Sequence, residues 1–229
     1  MFENLDRPFY AKALLFDMDG TLLDSTESVE RMWRSFANLH GLDLDEILAK
    51  DRGRRTFDTV AFFAPKHIDV QEETARLTAL EIADTKGVKA IAGAREFLQA
   101  ILLGKWAIVT SAHLELATSR MNAAGLPIPK VLITAEDVKQ GKPSPEGYLL
   151  AAQKLQVAPE ECIIFEDAPS GITAAVNAGI RVIAVGEHIK TTHYNDYNAW
   201  ISDFTSLELK PIVIDKDPRL IEYKLMGKK

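Results

Sequence analysis

The chain has 229 residues, 47% of them hydrophobic and 26% charged, with 13 Gly and 10 Pro. That composition excludes disordered, collagenous and low-complexity classes and suits one ordinary domain, or one with a sizeable insertion, that buries a core without staples. Lys and Arg total 27 against 33 Asp and Glu, a net charge of −6. That balance argues against nucleic acid or an acidic membrane surface as partner, and any anionic ligand should be small and held in a local basic pocket.

Cys162 is the single cysteine and forbids an intrachain disulfide, which fits a reducing compartment. It lies in the apolar run Cys162-Ile163-Ile164-Phe165 and reads as a buried, inert thiol. The first residues, Met1-Phe2-Glu3-Asn4-Leu5-Asp6-Arg7, do not resemble a secretory leader, and no apolar stretch approaches a membrane span. A cytoplasmic location is expected. With no sustained heptad seam, so is a monomer.

Short apolar runs rich in Val and Ile recur at Ala13 to Phe16, Trp106 to Val109, Val131 to Ile133, Ile163 to Phe165 and Val182 to Val185. Runs of this kind, separated by helical periodicity, predict a Rossmann-like parallel sheet with helices on both faces, an α/β fold. Far more residues separate the first two strands than a crossover needs. The stretch between them lacks a convincing strand and repeats apolar residues at helical spacing, as in Val29, Met32, Trp33, Phe36 and Leu39. We therefore expect a helical cap over residues 25–92, inserted into an α/β core of residues 1–24 and 93–229. Trp33 and Phe36 share a helix face and read as cap core. Further on, Ser144-Pro145-Glu146 signals a helix start, Ser170 opens another helix that Gly179 closes, and Trp200-Ile201 and Pro211 to Ile214 are weaker apolar runs.

Ligands of open α/β sheets bind beyond the carboxyl ends of the strands. The residues found there are Asp17-Met18-Asp19-Gly20-Thr21-Leu22, Thr110-Ser111 and Glu166-Asp167, with Gly141-Lys142-Pro143 in a nearby loop. Asp17, Glu166 and Asp167 crowded at one edge would repel unless a divalent cation sat among them, and hard oxygen ligands suit Mg²⁺. Thr110, Ser111 and Lys142 could hold a phosphoryl group. Asp17 is then a candidate nucleophile that would form an aspartyl-phosphate, with Asp19 as general acid and base. Arg52, Arg54 and Arg55 cluster beside Gly53, and Arg54 or Arg55 could reach over the site to bind substrate. The five histidines show no ligand spacing, although His113 follows Ser111 closely enough to line a pocket.

The motifs Asp17-Met18-Asp19-Gly20-Thr21, Thr110-Ser111, Gly141-Lys142-Pro143-Ser144-Pro145 and Phe165-Glu166-Asp167-Ala168-Pro169-Ser170-Gly171, in this order, resemble the haloacid dehalogenase superfamily, in its phosphatase branch with a helical cap. The stretches Gly53 to Asp58 and Thr134 to Pro143 are similar to those of sugar- and polyol-phosphate phosphatases, including those acting on 2-deoxyglucose-6-phosphate and glycerol-3-phosphate. The resemblance implies metal ligation by Asp17, Asp19 (through its backbone carbonyl) and Asp167, and Mg²⁺-dependent hydrolysis of a small sugar or polyol phosphate. Two positions depart from relatives: Arg52 stands where many have His, and Val29 stands where hexose-phosphate mutases have His. A phosphosugar mutase of the β-phosphoglucomutase type and a catalytically weak phosphometabolite-binding protein are the alternatives.

Overall fold

A computed structural model describes residues 1–101, 105–192, 194–213 and 221–228. His193, and Ile214 at the end of the last apolar run, lie outside the described residues. The strands are β1 (Phe2–Glu3), β2 (Phe9–Ala11), β3 (Ala13–Phe16), β4 (Leu23–Asp24), β5 (Lys89–Ala90), β6 (Lys105–Val109), β7 (Val131–Ile133), β8 (Cys162–Glu166), β9 (Arg181–Val185), β10 (Ala199–Ile201), β11 (Leu207–Val213) and β12 (Ile221–Gly227). The α-helices are α1 (Thr26–His40), α2 (Leu44–Asp51), α3 (Thr56–Phe63), α4 (Val70–Ala83), α5 (Ala94–Ala100), α6 (Leu114–Ala123), α7 (Glu146–Leu155) and α8 (Pro169–Asn177).

Seven strands form the main sheet in the order β1-β10-β9-β8-β3-β6-β7, all parallel except β1 at one edge. Its central strands are apolar along most of their length because both faces are covered. Along β3, Leu14 and Phe16 enter one core cluster while Ala13 and Leu15 enter the other, as the twofold alternation of a strand requires. The same split recurs in β8, where Phe165 stacks on Phe16 at 4.9 Å between ring centroids. Helices α5 and α6 cover the first face, and α7 and α8 the second. The chain runs outward from β3 to β6 and β7, then returns to lay β8 on the other side of β3. Strand order therefore reverses at β3/β8, the place where an open α/β sheet leaves a crevice at the carboxyl ends.

The inserted segment is helical, as its periodicity predicted. Trp33, Phe36, Ile47, Val60 and Leu77 from α1 to α4 bury one another in a cluster separate from those of the sheet. The Asp43 and Asp69 side chains each accept from two backbone N–H groups and so start α2 and α4. One expectation fails here: the insert is not free of strand, since β4 and β5 pair antiparallel where the chain leaves and re-enters the core. Two-residue strands are too short to carry an alternation pattern. Three further strands, β11, β12 and β2, form a small antiparallel sheet of which only the Pro211 region gave a sequence signal. Among the described residues no helix is long and apolar enough to cross a membrane.

Candidate active site

The crevice at the end of β3 is built by a tight turn. Asp17 continues the strand pairing, its N–H donating to the Phe165 carbonyl at 3.0 Å, and the Gly20 N–H then donates to Leu23 O at 2.7 Å. Met18 and Leu22 are fully buried beneath this turn and fix its direction. Gly20 has φ +87°, and a Cβ there would lie 2.2 Å from Asp167 Oδ2. Only glycine lets the two acidic loops approach this closely.

Asp17, Glu166 and Asp167, all buried, offer carboxylate oxygens within 4.8 Å of one another. Lys142 arrives from the loop before α7 and donates to Asp17 Oδ1 at 2.5 Å and to Glu166 Oε1 at 2.6 Å. Glu166 also accepts from Tyr148 Oη at 3.0 Å and from the Ala168 N–H at 2.9 Å. Gly171 leaves room for it, since a Cβ there would fall 1.6 Å from Glu166 Oε1. Asp167 accepts from Thr21 Oγ1 at 3.2 Å, and His188 Nε2 lies 3.1 Å from its Oδ2. Burial raises the Asp17 carboxyl well above the usual range, and Glu166 and Asp167 raise it further while Lys142 opposes them. Burial works against the Lys142 ammonium, yet Asp17 and Glu166 hold it above the ordinary lysine range.

Three acidic side chains against one ammonium leave a surplus of negative charge in a buried crevice. A divalent cation would remove that surplus, and an all-oxygen donor set suits a hard one. The residues present therefore fit a metal. The side-chain cluster includes Glu166 rather than the carboxylate of Asp19, which is turned elsewhere. Asp19 Oδ1 accepts from Ser25 Oγ at 2.6 Å and from Arg120 Nη1 at 3.0 Å.

Asp17 and Asp19 open on a cavity of about 80 Å³ lined also by Thr110, Ser111, Arg54, Asp51, Glu81 and Arg120. Thr110 and Ser111 follow β6 beside Asp17, but the Ser111 hydroxyl donates to the Gly53 carbonyl of the insert at 3.0 Å. Ser170 Oγ donates to the Arg52 carbonyl, also at 3.0 Å, so the Arg52-Gly53 corner is clasped from both sides. The two candidate arginines separate. Arg54 lines the cavity, whereas Arg55 pairs with Asp58 at 2.8 and 2.9 Å and lies against Gly141. His113 is not at the cavity either. Its Nδ1 lies 3.2 Å from Glu136 Oε1, in a separate groove with Arg55 and Phe57.

A sequence profile of the haloacid dehalogenase-like hydrolases matches residues 11–179. The chain belongs to this family. Hexitol phosphatase A of Escherichia coli is 40% identical over 211 residues, covering 90% of this chain and 95% of that protein. Glycerol-1-phosphate phosphohydrolase 2 of Saccharomyces cerevisiae is 36% identical over 186 residues, 76% of this chain and 74% of that one. In structure, CbbY of Rhodobacter sphaeroides, crystallised with phosphate, superposes with a TM-score of 0.73 at 24% identity, covering 85% of this chain and 95% of that one. That likeness shows the fold.

In this haloacid dehalogenase-like hydrolase, sequence reasoning missed Tyr148, His188, Asp51, Glu81 and Arg120. None carries a local signal. Tyr148 sits at a helical spacing that reads as packing, Arg120 is a single arginine within a helix, and His188 follows a strand whose end named no partner. Gly171, close after the Glu166-Asp167 pair, is a residue type that could have flagged a close approach.

Proposed function

We propose that the chain is a Mg²⁺-dependent phosphatase that hydrolyses a small sugar or polyol phosphate through an aspartyl-phosphate. The observation that carries this reading is the buried Asp17 carboxylate, flanked by Lys142, Glu166 and Asp167 and opening on a cavity. Phosphatase names among relatives of 36–40% identity support it.

Asp17, Asp167 and the Asp19 backbone carbonyl would hold the metal, with Glu166 close by. When bound, the ion supplies positive charge that offsets the charge of the phosphoryl group. Asp17 attacks phosphorus, and the P–O bond to the alcohol breaks. Asp19 delivers a proton to the departing alkoxide, then removes one from the water that hydrolyses the acyl phosphate. Lys142 holds the Asp17 carboxylate in place and, with Thr110 and Ser111, binds the phosphoryl oxygens. The helical insert, residues 25–92, acts as the cap. It excludes bulk water and meets the leaving group, with Arg54 lining the cavity and Arg55 fastening the insert to the Lys139–Gly141 loop. Val29, an apolar residue lining the same cavity, favours hydrolysis over phosphoryl return to the sugar.

The test is phosphate release from hexose, pentose, triose and polyol phosphates, with and without Mg²⁺. Release of inorganic phosphate only with the metal is expected. Formation of an isomeric sugar phosphate in its place would identify a mutase, and no turnover would leave a binding protein.

A further inference from the structure

Besides Asp17 and Asp19, the cavity is lined by charged side chains to which the hydrolytic steps above give no role of their own. Asp51 at the end of α2 and Glu81 in α4 face it from the insert, and Arg120 in α6 faces it from the core. Arg120 is buried. It gives Nη1 to Asp19 and Nη2 to Glu81, the latter at 2.5 Å, while its buried Nε meets no partner among the described residues. Asp51 Oδ1 accepts from Thr59 Oγ1 at 3.1 Å, and the Trp33 indole N–H faces the same carboxylate, which still leaves it acceptor capacity to spare. A buried unpaired donor beside two carboxylates with spare acceptor capacity is costly unless a ligand completes it.

The chemistry that completes it is narrow. An alcohol hydroxyl donates to a carboxylate and accepts from an N–H, so it can satisfy both halves of the array. An anionic group accepts only, and once Asp51 and Glu81 are ionised it would sit against two carboxylates, with the Arg120 guanidinium already shared between Asp19 and Glu81 and Arg54 the other cation lining the cavity. An aromatic group leaves every polar atom unpaired.

We infer that Asp51, Glu81 and Arg120 form a hydroxyl-reading subsite that selects phosphate monoesters of uncharged, polyhydroxylated alcohols and rejects those whose leaving group carries a carboxylate or a second phosphoryl group. This rests on the phosphatase reading of the same crevice. Burial pushes the Asp51 and Glu81 carboxyls up, to about 6 and about 7, which accords with groups placed for a ligand rather than for stability.

Three probes separate the outcomes: glycerol 3-phosphate, 3-phosphoglycerate, which replaces one CH₂OH by a carboxylate, and an aryl phosphate with no hydroxyl. The Mg²⁺-loaded wild-type enzyme should favour glycerol 3-phosphate over 3-phosphoglycerate by about a hundredfold in kcat/KM. Asp51→Asn and Glu81→Gln should each narrow that ratio, and should lower the glycerol phosphate to aryl phosphate ratio, by about tenfold. Equal use of glycerol 3-phosphate and 3-phosphoglycerate by the wild type overturns the subsite without any variant having to fold. So does an equal loss on all three probes in both variants. In those cases phosphate is still released and the phosphatase reading stands, whereas no release from any probe ends both.

Discussion

Asp51 shows at the scale of one residue how function and stability pull apart. Burial holds its carboxyl at about 6 when folded, so the folded protein binds this proton more tightly than the unfolded chain does. The stabilisation that the proton gives is complete below about pH 4 and is lost as pH rises through about 6. Asp51→Asn keeps an acceptor for Thr59 and has no charge to bury. Relative to wild type it should be more stable by about 1–3 kcal/mol at pH 8 and by little at pH 4, read from chemical denaturation at both pH values. An equal difference at the two pH values would mean that the carboxylate is not disfavoured by the fold. Lys142 is the opposite case, because two carboxylates hold its charge.

Among the elements, the Arg52-Gly53 corner decides how the helical insert meets the core. Gly53 has φ +72°, and a Cβ there would lie 2.5 Å from Ser170 Oγ and 2.8 Å from the Ala168 Cβ. Gly53→Ala should therefore push the corner off Ser111 and Ser170, lowering kcat/KM about tenfold with little change in Tm, since the cap's own core around Trp33 and Phe36 is untouched. A loss of Tm with kcat/KM preserved would place the role of Gly53 in stability alone. The same scale explains what could be read in advance. β3, β6, β7, β8 and β9 were legible because a strand covered on both faces carries a nearly unbroken apolar run, and Asp17 and Asp167 because carboxylates at the ends of such runs are costly to bury without a partner. Lys142 was legible from its loop. Arg120, Glu81 and Asp51 were not, because each meets its partners across the boundary between insert and core, which no local spacing encodes. The ribbon of β4 and β5 and the edge strands β1 and β2 were too short to show a period.

The molecule as a whole is a sheet whose order reverses where its acidic loops meet, with an insert closing over that place. Because the carboxylate surplus is a cost of the folded state alone, a divalent cation that binds there stabilises folding by mass action. Mg²⁺ should raise Tm in a concentration-dependent way, EDTA should reverse the rise, and Asp167→Asn should abolish most of it. A Tm indifferent to Mg²⁺ would argue that the crevice holds no such ion. The central claim is that Asp17 itself captures the phosphoryl group. It is tested most directly by acid-quenching the Mg²⁺-loaded enzyme during turnover of a polyol phosphate and mapping, by peptide mass, where phosphate is bound covalently. A phosphoryl group on the peptide containing Asp17, absent from Asp17→Asn, is the expected result. Phosphate release with no covalent adduct in the wild type, or substantial turnover by Asp17→Asn, would contradict it.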